Sequence, residues 1–321
     1  CMGSFGIGWL IIGQAPVFPL LLVGVAIIAI AASLWHLPAM ASLSHHFSHR
    51  RGTALSFHGI GGNIGDAISP VVTGFLLGYL AWREILSIYA VIPIFIAFVV
   101  FWAFKNIGKT NEHKDSNEKI SQSEQTRMAL KNPALWAITF IGGIRGMAFI
   151  ALMTFLPSYF SSDLGMSDLA RGVHFGLLVA VGIISTPIMG YLSDKIGRKK
   201  ILVPGMIFLS IIVLLMSFYG DGVTLIILLA LLGIFFYSDQ PILTASALDI
   251  VGEGVATTTL GTLSFARFIL SALSPLIAGF LYDSFSMNYV FYYVAFLMII
   301  GAIILYFLPL KKPHHEAGHH H

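Results

Sequence analysis

Four charged side chains stand inside long apolar runs of this chain: Asp66, Arg145, Asp239 and Arg267. Placing such a group in hydrocarbon costs at least about 2.5–3.5 kcal/mol, so each should face a cavity or a partner. The chemistry open to them is narrow. A carboxylate in such a place can carry a proton, and a guanidinium can hold an anion. His36 adds an imidazole, the side chain that titrates near neutrality. At helical spacing Asn63, Asp66 and Thr73 share one face of their run. Ser264, Arg267, Ser271 and Ser274 share one face of theirs. Polar stripes on otherwise apolar helices predict a water-accessible cavity.

Each of these residues has two readings. Asp66 is a proton-coupling carboxylate or a structural partner of Arg145 or Arg267. Arg145 binds an anionic solute near the midplane or neutralises Asp66. Arg267 contacts solute or acts as a structural counter-ion. Asp239 lies in Ser238-Asp239-Gln240-Pro241, beside an expected helix break where a carboxylate and free carbonyls can handle a proton or cation. His36 occupies the matching place in the other half, as a titrating group or as a hydrogen-bonded core histidine.

The elements that must position them are membrane helices. The chain has 321 residues, 57% of them hydrophobic and only 10% charged. Soluble domains carry about 25% charged residues, so this chain lacks the charge to cover a water-facing surface. Apolar runs long enough to cross a bilayer recur along it. A partial span at 1–14 is followed by spans near 18–44, 54–80, 85–106, 133–160, 172–191, 200–219, 223–248, 256–282 and 287–310. The fold class expected is an all-α membrane protein.

Charge sets the orientation. Arg50 and Arg51, the segment from Lys105 to Lys131, the cluster from Lys195 to Lys200, and Lys311-Lys312 hold 14 of the 18 Lys and Arg residues. These fall on alternate loops, and the opposite loops carry only Arg83 and Arg171. The positive-inside rule places 45–52, 107–131, 193–200 and the carboxyl terminus in the cytoplasm. The basic residues therefore follow topology and imply no nucleic-acid partner. Residues 107–131 are polar and mixed in charge, a connector between two halves. The single cysteine, Cys1, forms no internal disulfide. The histidines at 314–321 read as a tag remnant or solvated tail rather than a metal site. No metal-ligand spacing, nucleotide loop or nucleophile–base arrangement is present in the sequence, so neither a cofactor nor an enzymatic activity is expected. The glycines from Gly59 to Gly65 lack the preceding strand and following lysine of a phosphate loop, and read as close helix packing.

The halves repeat. Ser69-Pro70-Val71-Val72-Thr73-Gly74-Phe75-Leu76 matches Ser274-Pro275-Leu276-Ile277-Ala278-Gly279-Phe280-Leu281, and His36-Leu37-Pro38 matches Asp239-Gln240-Pro241 at nearly the same offset. Secondary transporters use such repeats to build two bundles that rock about a central site. By the repeat, the segment at 133–200 calls for a counterpart ahead of residue 18. Two spans and a first copy of the loop at 190–200 are expected upstream of Cys1, making this an amino-terminally truncated chain.

That loop, Gly190 to Lys200, places one acid and a basic cluster between two apolar runs. With Gly190, Asp194, Gly197, Arg198 and Lys199 it resembles the cytoplasmic loop signature of the major facilitator superfamily. Arg51-Gly52, Trp82-Arg83, the polar linker and the entry at Asn132-Pro133 are similar to the family as well. Gly65, Ser69, Pro70 and Gly74 stand in a run resembling its antiporter motif, with Ser69 and Thr73 where that motif calls for glycine. The surroundings of Trp35-His36-Leu37-Pro38 and Gly61-Gly62-Asn63, with the span holding Arg145, are most similar to the fosmidomycin-resistance and drug-efflux branch.

The resemblance implies a two-bundle fold: residues 1–106 as the rest of an amino-terminal bundle, 107–131 as linker, 132–310 as a six-helix bundle and 311–321 as tail. It implies a monomeric secondary transporter of the plasma (inner) membrane, working by alternating access on a small organic solute with protons. Efflux of an anionic or drug-like compound and proton-coupled uptake of an organic anion both fit. So does a non-transporting scaffold or sensor. In the loop, Asp194 is expected at the amino end of a neighbouring helix, with Arg198 and Lys199 facing anionic lipid or acidic partners, as a gate or only as a topology signal.

Overall fold

A computed structural model describes residues 1–46, 51–103, 127, 130–251 and 256–308. Within that range the side chains of 33, 35–46, 51–61, 63, 248, 251, 256–260, 262 and 263 are not described. The expected linker, apart from Arg127, Leu130 and Lys131, and the histidine tail lie outside the described residues.

The described residues form helices joined by short turns: α1 (Met2–Gln14), α2 (Phe18–His46), α3 (Arg51–Leu77), α4 (Trp82–Ala103), α5 (Pro133–Ser158, extended by a π-helical turn over Tyr159–Asp163), α6 (Asp168–Ile196), α7 (Arg198–Tyr219), α8 (Gly222–Phe236), α9 (Asp239–Val251), α10 (Ala256–Ala272), α11 (Ser274–Ser284) and α12 (Met287–Phe307). Among these residues seven helical stretches are long and apolar enough to cross a membrane. The protein is a multi-pass integral membrane protein.

Local chemistry sets the ends. The Asn132 side chain accepts from the Ala134 N–H at 3.0 Å and Pro133 follows it, a start that satisfies one free donor and removes another. Gly197 precedes α7 with φ +108°, a conformation that side chains with a Cβ rarely adopt. The run at 223–248 breaks where expected, α8 ending at Phe236 and α9 starting at Asp239. The run at 256–282, expected as one helix, is also in two pieces, parted at Leu273 with Pro275 in the first turn of α11. Proline has no N–H to continue the ladder. The repeat partner Pro70 sits inside an unbroken α3, so the same dipeptide ends a helix in one half only.

The chain divides into two compact units. The first comprises Cys1–His113 with Ser167–Val173, the second Lys114–Met166 with His174–His321. In the first unit α1 packs on α2 and α4. Arg83 donates to the Ala15 carbonyl at 2.8 Å, a cation on the free end of α1, and Thr73 and Tyr89 share a 2.8 Å hydroxyl hydrogen bond between α3 and α4. In the second, α5, α7, α8 and α12 enclose a core that includes Phe160, Leu152, Leu202, Met206 and Phe291. Lipid tails are as apolar as these side chains, so close packing and interhelical hydrogen bonds carry the stability. Ser210 to the Ala295 carbonyl, 3.1 Å, is one such bond, from α7 to α12.

Candidate functional site

The break between α8 and α9 makes a charge site from backbone alone. The last carbonyls of α8 lack helical partners, as do the first N–H groups of α9, so one end attracts cations and the other anions. Arg145, from the middle of α5, reaches the first: its Nη2 donates to the Phe236 carbonyl at 2.7 Å. Asp239 occupies the first turn of α9, and the Arg145 Nε donates to its Oδ1 at 2.7 Å. Both residues are buried, at 7% and 1% exposure. Phe149, one turn along α5, stacks under the guanidinium at 4.5 Å and against Phe236 at 4.8 Å. The expected cation from α5 and carboxylate from α9 thus meet each other. Arg145 takes its counter-ion from Asp239.

Arg267 lies beside them on α10, near enough to Arg145 for the two charges to repel. With its amide oxygen turned toward α10, Gln240 accepts from both Nη1 and Nη2 of Arg267. Among the described residues no carboxylate lies within ion-pair distance of Arg267. The stem of Arg267 crosses α5 at Gly142, where a Cβ would lie 2.8 Å from its Cδ. Gly143 and Gly146 admit Leu270 and Ser271 in the same way, so small residues let α5 and α10 approach closely. Above this seam is a cavity of about 230 Å³ lined by Thr139, Gly142, Thr244, Ser264 and Arg267, among others. Half of the stripe expected on the run at 256–282, Ser264 and Arg267, faces this cavity. The other half holds helices together: Ser271 donates to the Gly143 carbonyl at 3.4 Å and Ser274 to that of Met147 at 2.6 Å.

Gln240, Thr139, Thr244 and the glycines of α5 were not among the sequence candidates. Gly142 and Gly146, four apart in an apolar run, are the small-residue pattern that could have pointed to this seam.

The remaining candidates lie elsewhere. Asp66 is in the first unit, exposed on α3. His36 and Asn63 are on α2 and α3, and their side chains fall outside the described residues. Of the four positions of the antiporter-like run, Gly65 has open space around it and Ser69 is exposed. Gly74 is packed, a Cβ there meeting the Asp168 carbonyl of the same unit, while a Cβ on Gly172 would meet the Pro70 carbonyl.

In the loop between α6 and α7, Arg198 pairs with Asp194, donates to Ser193 Oγ at 2.8 Å and reaches Asp249 on α9 at 3.2 Å. Lys199 donates to the Leu308 carbonyl after α12 at 3.0 Å. Arg198 thus has two acidic partners and Lys199 a backbone carbonyl, and Asp194 pairs with the first residue of α7. The loop ties α6, α7, α9 and the end of α12 together, while a Cβ on Gly190 or Gly197 would meet open space. Arg198→Gln is expected to lower the unfolding free energy by about 1 kcal/mol or less, as partly exposed pairs do. The same energy moves a two-state equilibrium by about fivefold. Thermal melts of the purified protein, compared with initial transport rates, check both.

The sequence profile of the Major Facilitator Superfamily matches residues 1–186 and 172–320. The chain belongs to that superfamily. It is 24% identical over 292 residues to a glycerol-3-phosphate transporter of Bacillus subtilis, covering 84% of this chain and 65% of that protein. It is 32% identical over 180 residues to the multidrug resistance protein MdtG of Proteus mirabilis, covering 54% of this chain and 44% of MdtG. The chain therefore spans about two thirds of the first relative and less than half of the second. A bacterial homologue of the human lysosomal transporter Spinster has the same fold, with a TM-score of 0.70 at 15% identity over 95% of this chain and 80% of that one. The superfamily fold assigned from the loop at 190–200 is thus the fold of the molecule, and the similarity to MdtG agrees with the drug-efflux branch.

Proposed function

We propose that this protein is a secondary active transporter of the plasma membrane that moves a small organic anion together with protons by alternating access. The observation that carries the reading is the buried Arg145–Asp239 pair at the break between α8 and α9. Two guanidiniums, of Arg145 and Arg267, share this part of the second unit with one paired carboxylate. With Asp239 ionised, one positive charge is left over. A proton on Asp239 leaves two, and an anion then relieves both. Each ligand therefore raises the affinity for the other by the same factor, which suits movement of both in one direction. Similarity to a protein named for glycerol 3-phosphate, an anion, supports this choice of solute class. Similarity to MdtG supports the other reading, efflux of a drug-like compound.

The test is uptake of glycerol 3-phosphate into proteoliposomes of the full-length protein. An outward-acid pH gradient should accelerate uptake in the wild type and leave Asp239→Asn unaffected. Uptake indifferent to the gradient in the wild type overturns proton coupling. Gradient-driven extrusion of a bulky dye with no anion uptake favours efflux instead.

A further inference from the structure

We infer that Arg267 is the anchor for the anionic group of the solute, presented at the wall of the cavity beside it. The inference rests on the anion reading above and gives it a place.

Arg145 and Arg267 are the two intramembrane guanidiniums, and the structure separates their tasks. The charge of Arg145 is already met: a carboxylate pairs with it, and a carbonyl and an aromatic face lie against it. An anion arriving there would have to displace Asp239. Arg267 has a neutral amide partner, Gln240, and none of the described carboxylates. A guanidinium has five N–H donors in a planar fork that matches a carboxylate, sulfonate or phosphate. Gln240 has one amide oxygen to offer, so donors remain for a second acceptor.

Those donors border the cavity. Ser264, one turn before Arg267 on α10, lines it as well, and so does Thr244 on α9. The Thr139 hydroxyl donates to the Leu135 carbonyl at 2.9 Å and that of Thr244 to the Gln240 carbonyl at 3.0 Å. Their protons are thereby committed to their own helices, which leaves the guanidinium as the strong donor facing the space. At about 230 Å³ the cavity has room for several waters, enough for a small anionic group to enter beside the guanidinium.

Gln240 also links the two arginines. It follows Asp239 directly on α9, so one turn of backbone holds the partner of Arg145 and the partner of Arg267. An anion that draws Arg267 away from Gln240 acts on the same turn that presents Asp239.

The test is binding without any gradient, so that it is independent of proton coupling. Thermal shifts of the full-length protein in detergent are titrated with glycerol 3-phosphate, sulfoacetate and propionate, with glycerol as the neutral control. At least one anion should raise the melting temperature saturably while glycerol does not. Arg267→Gln should weaken that binding by about tenfold or more, the scale of a charged hydrogen bond, and Arg267→Lys should restore part of it. Undiminished binding by Arg267→Gln overturns the inference, as does a wild type that binds none of the three anions. Loss of gradient-driven uptake in Asp239→Asn with anion binding intact leaves this inference standing. Intact coupling with binding independent of Arg267 removes it and leaves the transporter reading in place.

Discussion

Asp239→Asn is expected to cost about 3–5 kcal/mol of stability, the loss typical when one partner of a buried ion pair is removed. The reason is asymmetric. Arg145 is buried and a guanidinium does not shed its proton, so the substitution leaves a fixed charge with only neutral partners: the new amide oxygen, the Phe236 carbonyl and the Phe149 ring. Arg145→Gln should be milder, because an abandoned carboxylate can neutralise itself by taking a proton. The double variant should recover part of the loss, and the coupling measured by the cycle should exceed about 1 kcal/mol, as for residues in contact. Chemical or thermal unfolding of the four proteins in one detergent gives the cycle. Strict additivity would show that the pair contributes little as a unit, and equal effects of the two single substitutions would overturn the asymmetry.

The second large effect is expected at the α5–α10 seam. Gly143→Leu places a side chain where Leu270 already lies, with its Cγ 3.2 Å and Cβ 3.3 Å from the new Cβ. Overpacking of this kind costs about 1–3 kcal/mol, and the helix preference of leucine over glycine returns up to about 1. The larger consequence is displacement of α10, which carries Arg267 and the cavity wall. Anion binding should fall with stability. Gly142→Ala is the discriminating companion, since its Cβ meets only the flexible stem of Arg267, 2.8 Å from Cδ. It should melt within about 1 kcal/mol of wild type while weakening anion binding. Melting curves and anion titrations of both variants separate packing from ligand contact. A Gly143→Leu protein as stable as wild type would mean that the helices separate at no cost.

How much of this was legible follows from the kind of signal involved. Charge in an apolar run is visible in one dimension, because insertion cost makes it rare whatever the fold. Arg145, Asp239 and Arg267 therefore stood out. Proline and the surrounding polar residues likewise marked the break at Asp239. The partner of each charge was not legible, since residues 94 positions apart, Arg145 and Asp239, are brought together only by packing. Gln240 escaped notice because an amide in a membrane helix is far less costly than an ion. The split at Leu273 was hidden for a different reason. Ser69-Pro70 and Ser274-Pro275 are the same dipeptide, and neighbouring helices decide whether the chain bends or breaks there.

Sequence alone determined the solvent, the helical class and the superfamily loop, because each depends on composition or on residues a few positions apart. It also marked which charges had to find a use. Tertiary structure decided the uses. It joined Arg145 to Asp239, turned Arg198 and Lys199 onto neighbouring helices, and left Arg267 with a neutral partner beside an open space. The physical reason is that an ion's role in a membrane protein is set by what neutralises it, and the neutralising group comes from another helix.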